Sequence, residues 1–343
     1  MKKGRDVFWD VVKGVSIIAV ILIHTTGRYT EGGAVWRQVI NFPVAMFFFL
    51  AAYFCHCEGS VGDFLVKKAK RLLVPYIVFS LLYAALDIHF KMRHGLTIDA
   101  HVGKESLFSF SLGWGYFVLA LFQFVCLYPI MKDKSVKWLA WFAGICFAVS
   151  LGYCWCAETV LKGYGLYGRM MPFVLFLPWT PMFVLGVVAK RGGLGMRMKW
   201  ILGGCVAFFV LSVAEGVLYL KAGMYELSFS QTKLGSLGFS FFLAILLLRI
   251  FSPRLLHSPS LPLLHSSTPP LLHFFSLLGR YSFFIYLSHR LVLIMLRGTF
   301  HRMDPNLFFW FLPVATIVVE YVLIRLMDVL PTTLRKRLWI VGT

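Results

Sequence analysis

The chain reads as an all-α polytopic membrane protein of about ten transmembrane helices with both termini in the cytoplasm. Three observations predict this. Hydrophobic residues make up 59% of the 343 and charged residues only 14%, against about 25% charged in ordinary soluble domains, and the mean hydropathy is +0.77. The apolar runs are long and do not alternate, which favours helices over a barrel. Basic residues also fall unequally on the two sides of the proposed spans.

Ten spans of about 20 residues lie near 9–28, 38–55, 72–90, 110–130, 137–156, 170–189, 200–220, 234–251, 274–296 and 307–328. With the amino terminus inside, the inner segments hold 19 Lys and Arg and the outer ones 11. That excess places both ends in the cytoplasm, as an even number of spans requires. The net charge of +19 is therefore a topology signal. Nucleic acid is a poor partner for it, because the charges are spread over short loops instead of one face. The bilayer is the partner that the composition demands.

The first segment has a basic start, but it runs long and carries Lys13 and His24, so it is expected to stay as a helix and not to be cleaved as a signal peptide. Its ionisable residues are the most informative feature of the chain. At about 100° per residue, positions 10, 13, 17, 20, 24 and 28 share one helix face, which aligns Asp10, Lys13, His24 and Arg28. Lys13 and His24 are eleven residues apart, about 16 Å along the axis. Charged groups inside a span are costly and by default mark a substrate or proton site.

Other segments are less telling. The seven cysteines sit in or beside apolar runs and read as small buried hydrophobes, not as a disulfide framework. Cys55-His56-Cys57 lacks a second pair at zinc spacing, so no metal site is expected. The triplet Leu-Leu-His recurs at 255, 263 and 271 among Ser and Pro, which marks the stretch near 253–273 as an exposed cytoplasmic repeat loop. Glu215, Glu320 and Arg325 lie within spans and read either as members of ion pairs or as substrate contacts. Otherwise residues 1–343 form a single membrane-embedded domain, and nothing in them signals an oligomeric state.

Asp10-x-x-Lys13-Gly14 with His24, followed by Pro43-x-x-x-Phe47-Phe48-Phe49-Leu50-Ala51-Ala52-Tyr53-Phe54, resembles the amino-terminal pattern of the acyltransferase 3 family of membrane acyltransferases. Further blocks resemble it in the family's order. They are Lys70-Arg71-Leu72-Leu73-Val74-Pro75-Tyr76, the aromatic start Leu112-Gly113-Trp114-Gly115-Tyr116, and Gly279-Arg280-Tyr281-Ser282-Phe283-Phe284-Ile285-Tyr286-Leu287-Ser288-His289. The resemblance runs from residue 5 to about 325. It implies transfer of an acyl group, usually acetyl, from acyl-coenzyme A to a hydroxyl of a glycan or similar acceptor. No permanently bound cofactor is implied, and the location would be the bacterial cytoplasmic (inner) membrane. The residue matching His24 is expected to be the base, and the basic residue eleven positions before it to help position the donor. Lys13 stands where the family usually has Arg, keeping the charge but losing the planar fork. Ala51-Ala52 replaces the usual Ser-Gly.

The residues support the same chemistry on physical grounds. Acyl transfer to an alcohol needs a base beside the acceptor hydroxyl, and histidine changes protonation near neutral pH. Lys13, at the inner end of the stripe, and Arg71, at the cytoplasmic boundary, are the candidates for the donor's phosphates. Asp10, Arg28, Tyr53, Trp114, Ser282, Tyr286 and His289 are candidates to line the cavity, the last three because their spacing puts them on one helix face. A transporter or flippase of a glycan or lipid precursor would use the same stripe without chemistry. No broken helix or repeated half is evident in the sequence to favour it.

Overall fold

The computed structural model describes residues 7–26, 30–93, 106, 115–160, 173–192, 194–250, 270–300, 302–331 and 338–342. No strand occurs among them. Seven helical stretches are long and apolar enough to cross a membrane: Val7–Thr25, Glu31–Tyr53, Val61–Arg93, Val136–Cys156, Met198–Lys221, Tyr225–Ile250 and Asn306–Val329. Pro270–Arg280 with Ser282–Thr299 makes one more if counted as a bent span, and Tyr116–Met131 and Leu177–Lys190 are shorter apolar helices. Each apolar run read from the sequence overlaps one of these stretches.

Local chemistry sets where the helices begin and bend. Thr30 caps α2 (Glu31–Val39) by accepting from the Gly33 amide at 3.1 Å. Ser60 accepts from the Asp63 amide at 3.0 Å and donates to its carboxylate at 2.6 Å, which closes the start of α4 (Val61–Arg93). Both arrangements satisfy amides that the first helical turn leaves without partners. The other helices are α1 (Val7–Thr25), α3 (Pro43–Tyr53), α5 (Tyr116–Met131), α6 (Val136–Thr159), α7 (Thr180–Lys190), α8 (Met198–Lys221), α9 (Tyr225–Phe229), α10 (Leu234–Ile250), α11 (Pro270–Arg280), α12 (Ser282–Thr299) and α13 (Pro305–Val329). On α13, Trp310, Val314, Val318, Val322 and Leu326 are largely exposed while Thr316 and Glu320 are buried. An apolar outside with polar groups inside is the pattern of a helix that faces lipid.

The chain divides into two compact units. One comprises Ala51–Val184 and Arg325–Thr343. Its interior is aromatic: Phe124 stacks on Phe183 with ring centres 4.3 Å apart, and the Tyr128 hydroxyl donates to the Cys55 carbonyl at 2.7 Å. Gln123 holds the segment before α7, donating to the Val174 carbonyl at 2.8 Å and accepting from the Phe176 amide at 3.2 Å.

The other unit comprises Met1–Leu50 and Leu185–Ile324 and contains α1. Three kinds of packing build it. Small residues let α8 and α10 approach, with Gly235 against the Ser212 backbone and Gly238 against the Phe208 ring, since close helix contact in a membrane favours small residues. Glycine works the same way between α1 and α11: Gly14 faces the Phe275 carbonyl, and Gly279 faces the Asp10 carbonyl. A buried polar network supplies the third. Lys233 donates from Nζ to Gln38 Oε1 and to the Ser228 carbonyl, each at 2.8 Å, and Ser212 and Ser236 also donate to Gln38 Oε1. Asn41 donates to the Ser230 carbonyl at 2.9 Å.

Two features depart from the sequence reading. The late span is broken, with α11 and α12 meeting at 84°. Tyr281 forms the corner, so α11 packs on α1 through Gly279 while α12 turns away to reach α1 again at His24. The repeat loop near 253–273 lies outside the described residues except for its end. Pro270 opens α11, which places Leu271-Leu272-His273 in a helix. Proline tolerates that first position because the amide it lacks would have no helical partner there.

Candidate active site

The site is built on α1 and α12. His24 lies one residue from the end of α1 and is half-buried. The His289 ring stacks on it with centres 5.3 Å apart and planes 25° apart. His289 is 2% exposed, and its Nδ1 lies 2.9 Å from the Ile285 carbonyl. A carbonyl can only accept, so Nδ1 carries the proton and the lone pair of neutral His289 sits on Nε2. That Nε2 is buried and has no hydrogen-bond partner among the described residues. The Tyr286 ring, also buried, stands 6.1 Å from the His289 ring. Two imidazoles that the chain separates by 265 positions thus share one face contact.

The neighbouring side chains are polar, and Ser288, Glu320 and Arg290 among them are buried. Ser288 donates to both Glu320 oxygens at 2.8 Å, and Glu320 is wholly enclosed. Arg290 follows His289 and is 9% exposed. Arg37 Nη1 donates to the Ile23 carbonyl at 2.8 Å, and Arg297 Nη2 donates to the His24 carbonyl at 3.2 Å. Both arginines therefore satisfy carbonyls at the carboxy-terminal end of α1, where the helix dipole favours cations.

At the other end of α1, Lys13 pairs with Asp10 at 3.0 Å. The Asp10 carboxylate is nearly buried and the Lys13 side chain is 27% exposed. The aligned stripe of the sequence thus resolves into an ion pair near one end and a histidine near the other. Ser282 opens α12 and is partly buried. Tyr53, edge-on to Phe54, and the exposed Arg71 on α4 belong to the unit built on Ala51–Val184. Arg28 and Trp114 lie outside the described residues. Glu215 accepts from the Gly235 amide at 2.9 Å. Among the described residues no three His, Cys, Asp or Glu side chains come together to hold a metal ion.

Sequence reasoning put Arg37 and Arg297 among the charges of outer loops and passed over Arg290. The one signal available was Arg290 itself, a charge directly after His289 in an apolar run.

The chain matches the family model described as an acyltransferase domain over residues 6–325. No curated protein and no solved structure matches it. A match over nearly the whole length, on helices apolar enough to span a bilayer and bearing a stacked histidine pair, leads to one conclusion: this chain belongs to the acyltransferase 3 family and is a membrane acyltransferase.

Proposed function

We propose that the protein moves an acyl group, most simply acetyl, from acyl-coenzyme A to a hydroxyl of a cell-envelope glycan, with His24 as general base. The observation that carries this reading is the placement of His24. It is half-buried near the end of a span, stacked on a second imidazole and flanked by guanidinium groups. His24 takes the proton of the acceptor hydroxyl as its oxygen attacks the thioester carbonyl. The new carbon–oxygen bond forms, the carbon–sulfur bond breaks, and the departing thiolate takes the proton from the imidazolium. Arginine N–H groups beside the reacting carbonyl are suited to stabilise its developing negative oxygen.

Lys13 stands about 16 Å from His24 along α1. We assign it to the donor's phosphates; Asp10 holds the Lys13 ammonium in the meantime. The pantetheine arm is long enough to bridge such a distance. On this reading the donor enters from the cytoplasmic side of a bacterial inner membrane and the acceptor from the opposite side.

A transporter using the same groups has one point in its favour, the 84° break between α11 and α12, because broken helices are frequent in transporters. Purified protein incubated with radiolabelled acetyl-coenzyme A and an envelope fraction decides between the two. Transfer of label that requires His24 is the expected result. Binding of a glycan without any release of free coenzyme A would overturn the acyltransfer reading.

A further inference from the structure

Three arginines surround the end of α1 at which His24 sits. Arg37 reaches it from α2, fixed by donating from Nε to Asn41 Oδ1 at 3.0 Å and to the Phe229 carbonyl at 3.2 Å. Arg297 reaches it from α12, on which the nearly buried Arg290 follows the stacked His289. The groups that meet His24 and the carbonyls at its end of α1 are all basic: His289 stacks on its ring, Arg37 bonds the Ile23 carbonyl and Arg297 bonds the His24 carbonyl. Nearby carboxylates have other roles: Glu320 takes Ser288, Glu215 takes the Gly235 amide, and Asp10 stands with Lys13 at the far end of the helix.

Capping the helix explains part of this. A helix carboxy terminus carries about half a negative charge, whereas three guanidinium groups bring three positive ones. The surplus exceeds what the helix end alone calls for, and Arg290 carries its charge into a nearly enclosed position, where a cation is costly. Arg297 is exposed and spends one of its five N–H donors on the His24 carbonyl, so a planar fork remains for a bound anion. The donor's phosphates do not fill this role, since the donor reading places them about 16 Å away at Lys13.

We propose that the acceptor carries a negative charge, a carboxylate or a phosphate, close to the hydroxyl that is acylated, and that Arg297 binds it beside His24. The inference rests on the acyltransfer reading above and narrows the acceptor to acidic glycans.

The test uses full-length protein in nanodiscs, labelled acetyl-coenzyme A, and an envelope fraction from cells that express the protein. The labelled product is passed over an anion exchanger at neutral pH. Separate portions of the acceptor are first treated with carbodiimide and borohydride, which reduces carboxylates, or with cold hydrofluoric acid, which removes phosphates. Retention of the product, and a loss of at least tenfold in acceptor capacity after one treatment, are expected, and the effective treatment identifies the anion. Arg297→Gln should raise the acceptor KM roughly tenfold, the scale of one charge-assisted hydrogen bond, with the donor KM unchanged. Arg297→Lys should recover most of that loss. Label on a neutral product, acceptor capacity that survives both treatments, or an unchanged acceptor KM in Arg297→Gln would each overturn the proposal and leave acyl transfer standing. No transfer by the wild type would overturn both.

Discussion

Gly279→Ala tests whether the contact between α1 and α11 positions the site. A Cβ at this position would fall inside contact with the Asp10 carbonyl oxygen and carbon and 2.9 Å from the Gly14 amide nitrogen. All three obstacles are main chain, so no side-chain rotation relieves them. An ordinary carbon–oxygen approach is about 3.3 Å, so the two helices must part by on the order of an ångström. Overpacking of this kind costs about 1–3 kcal/mol, and the rigid partners put this site at the upper end. Because α11 continues into α12 through Tyr281, the shift is passed to His289 and its stack on His24. Misplacement of reacting groups by about an ångström can lower a rate roughly 100-fold. The variant should lose heat resistance in detergent, read by size exclusion after heating, and should lose turnover by about ten- to 100-fold. Gly203→Ala is the control: it lies in the interior of α8 with no atom within 4 Å of the added carbon. There alanine should be neutral, or stabilising by about 0.5–1 kcal/mol. If Gly279→Ala withstood heat and turned over like the wild type, the glycine contact would not be what holds the histidine pair.

Three further outcomes are expected. His24→Ala should preserve insertion and folding while lowering turnover by roughly two to four orders of magnitude; wild-type rates in that variant would remove the residue as base. Lys13→Arg should retain donor binding, whereas Lys13→Gln should raise the donor dissociation constant about tenfold, and calorimetry showing equal binding in both would detach Lys13 from the donor. For topology, single cysteines at Ser60 and Ser266 in a cysteine-free background should be shielded from an impermeant thiol reagent in intact cells while one at Asn306 reacts. The reverse pattern would put Lys13 on the wrong face for a cytoplasmic donor.

What could be read from the sequence was whatever one helix encodes by itself. The apolar runs, the stripe containing Asp10, Lys13 and His24, and the common face of Ser282, Tyr286 and His289 are periodicities within single segments, and helical geometry converts them directly into neighbours. The Lys13–Asp10 pair has that origin. The stack of His24 on His289 does not, because α1 and α12 meet through packing that neither encodes alone. The bend at Tyr281 was equally hidden: its sequence is unremarkable for a helix, and Gly279, two residues before it, docks on a backbone far away in the chain. Arg37 and Arg297 looked like loop charges because a positive residue near a span end is read first as an orientation signal. Only its bond to a carbonyl of α1 shows a second role.

The network around Lys233 has a consequence for biogenesis. Gln38 accepts the ammonium of a residue 195 positions later in the chain. All of Ala51–Val184, the bulk of the other unit, is synthesised between the two portions of the unit that contains them. At about 5–20 residues per second this delay is on the order of ten seconds. Throughout it Gln38 and Asn41 reside in the membrane before the segment they will bond has been made. When α10 arrives, Lys233 brings the Ser228 carbonyl as one acceptor for its ammonium and still needs Gln38 for another, since an under-satisfied ammonium is costly in hydrocarbon. Early helices that await a late one are natural clients for a membrane insertase or chaperone, and Gln38→Leu should expose this dependence as degradation of the nascent protein rather than as a loss of catalysis in the mature one.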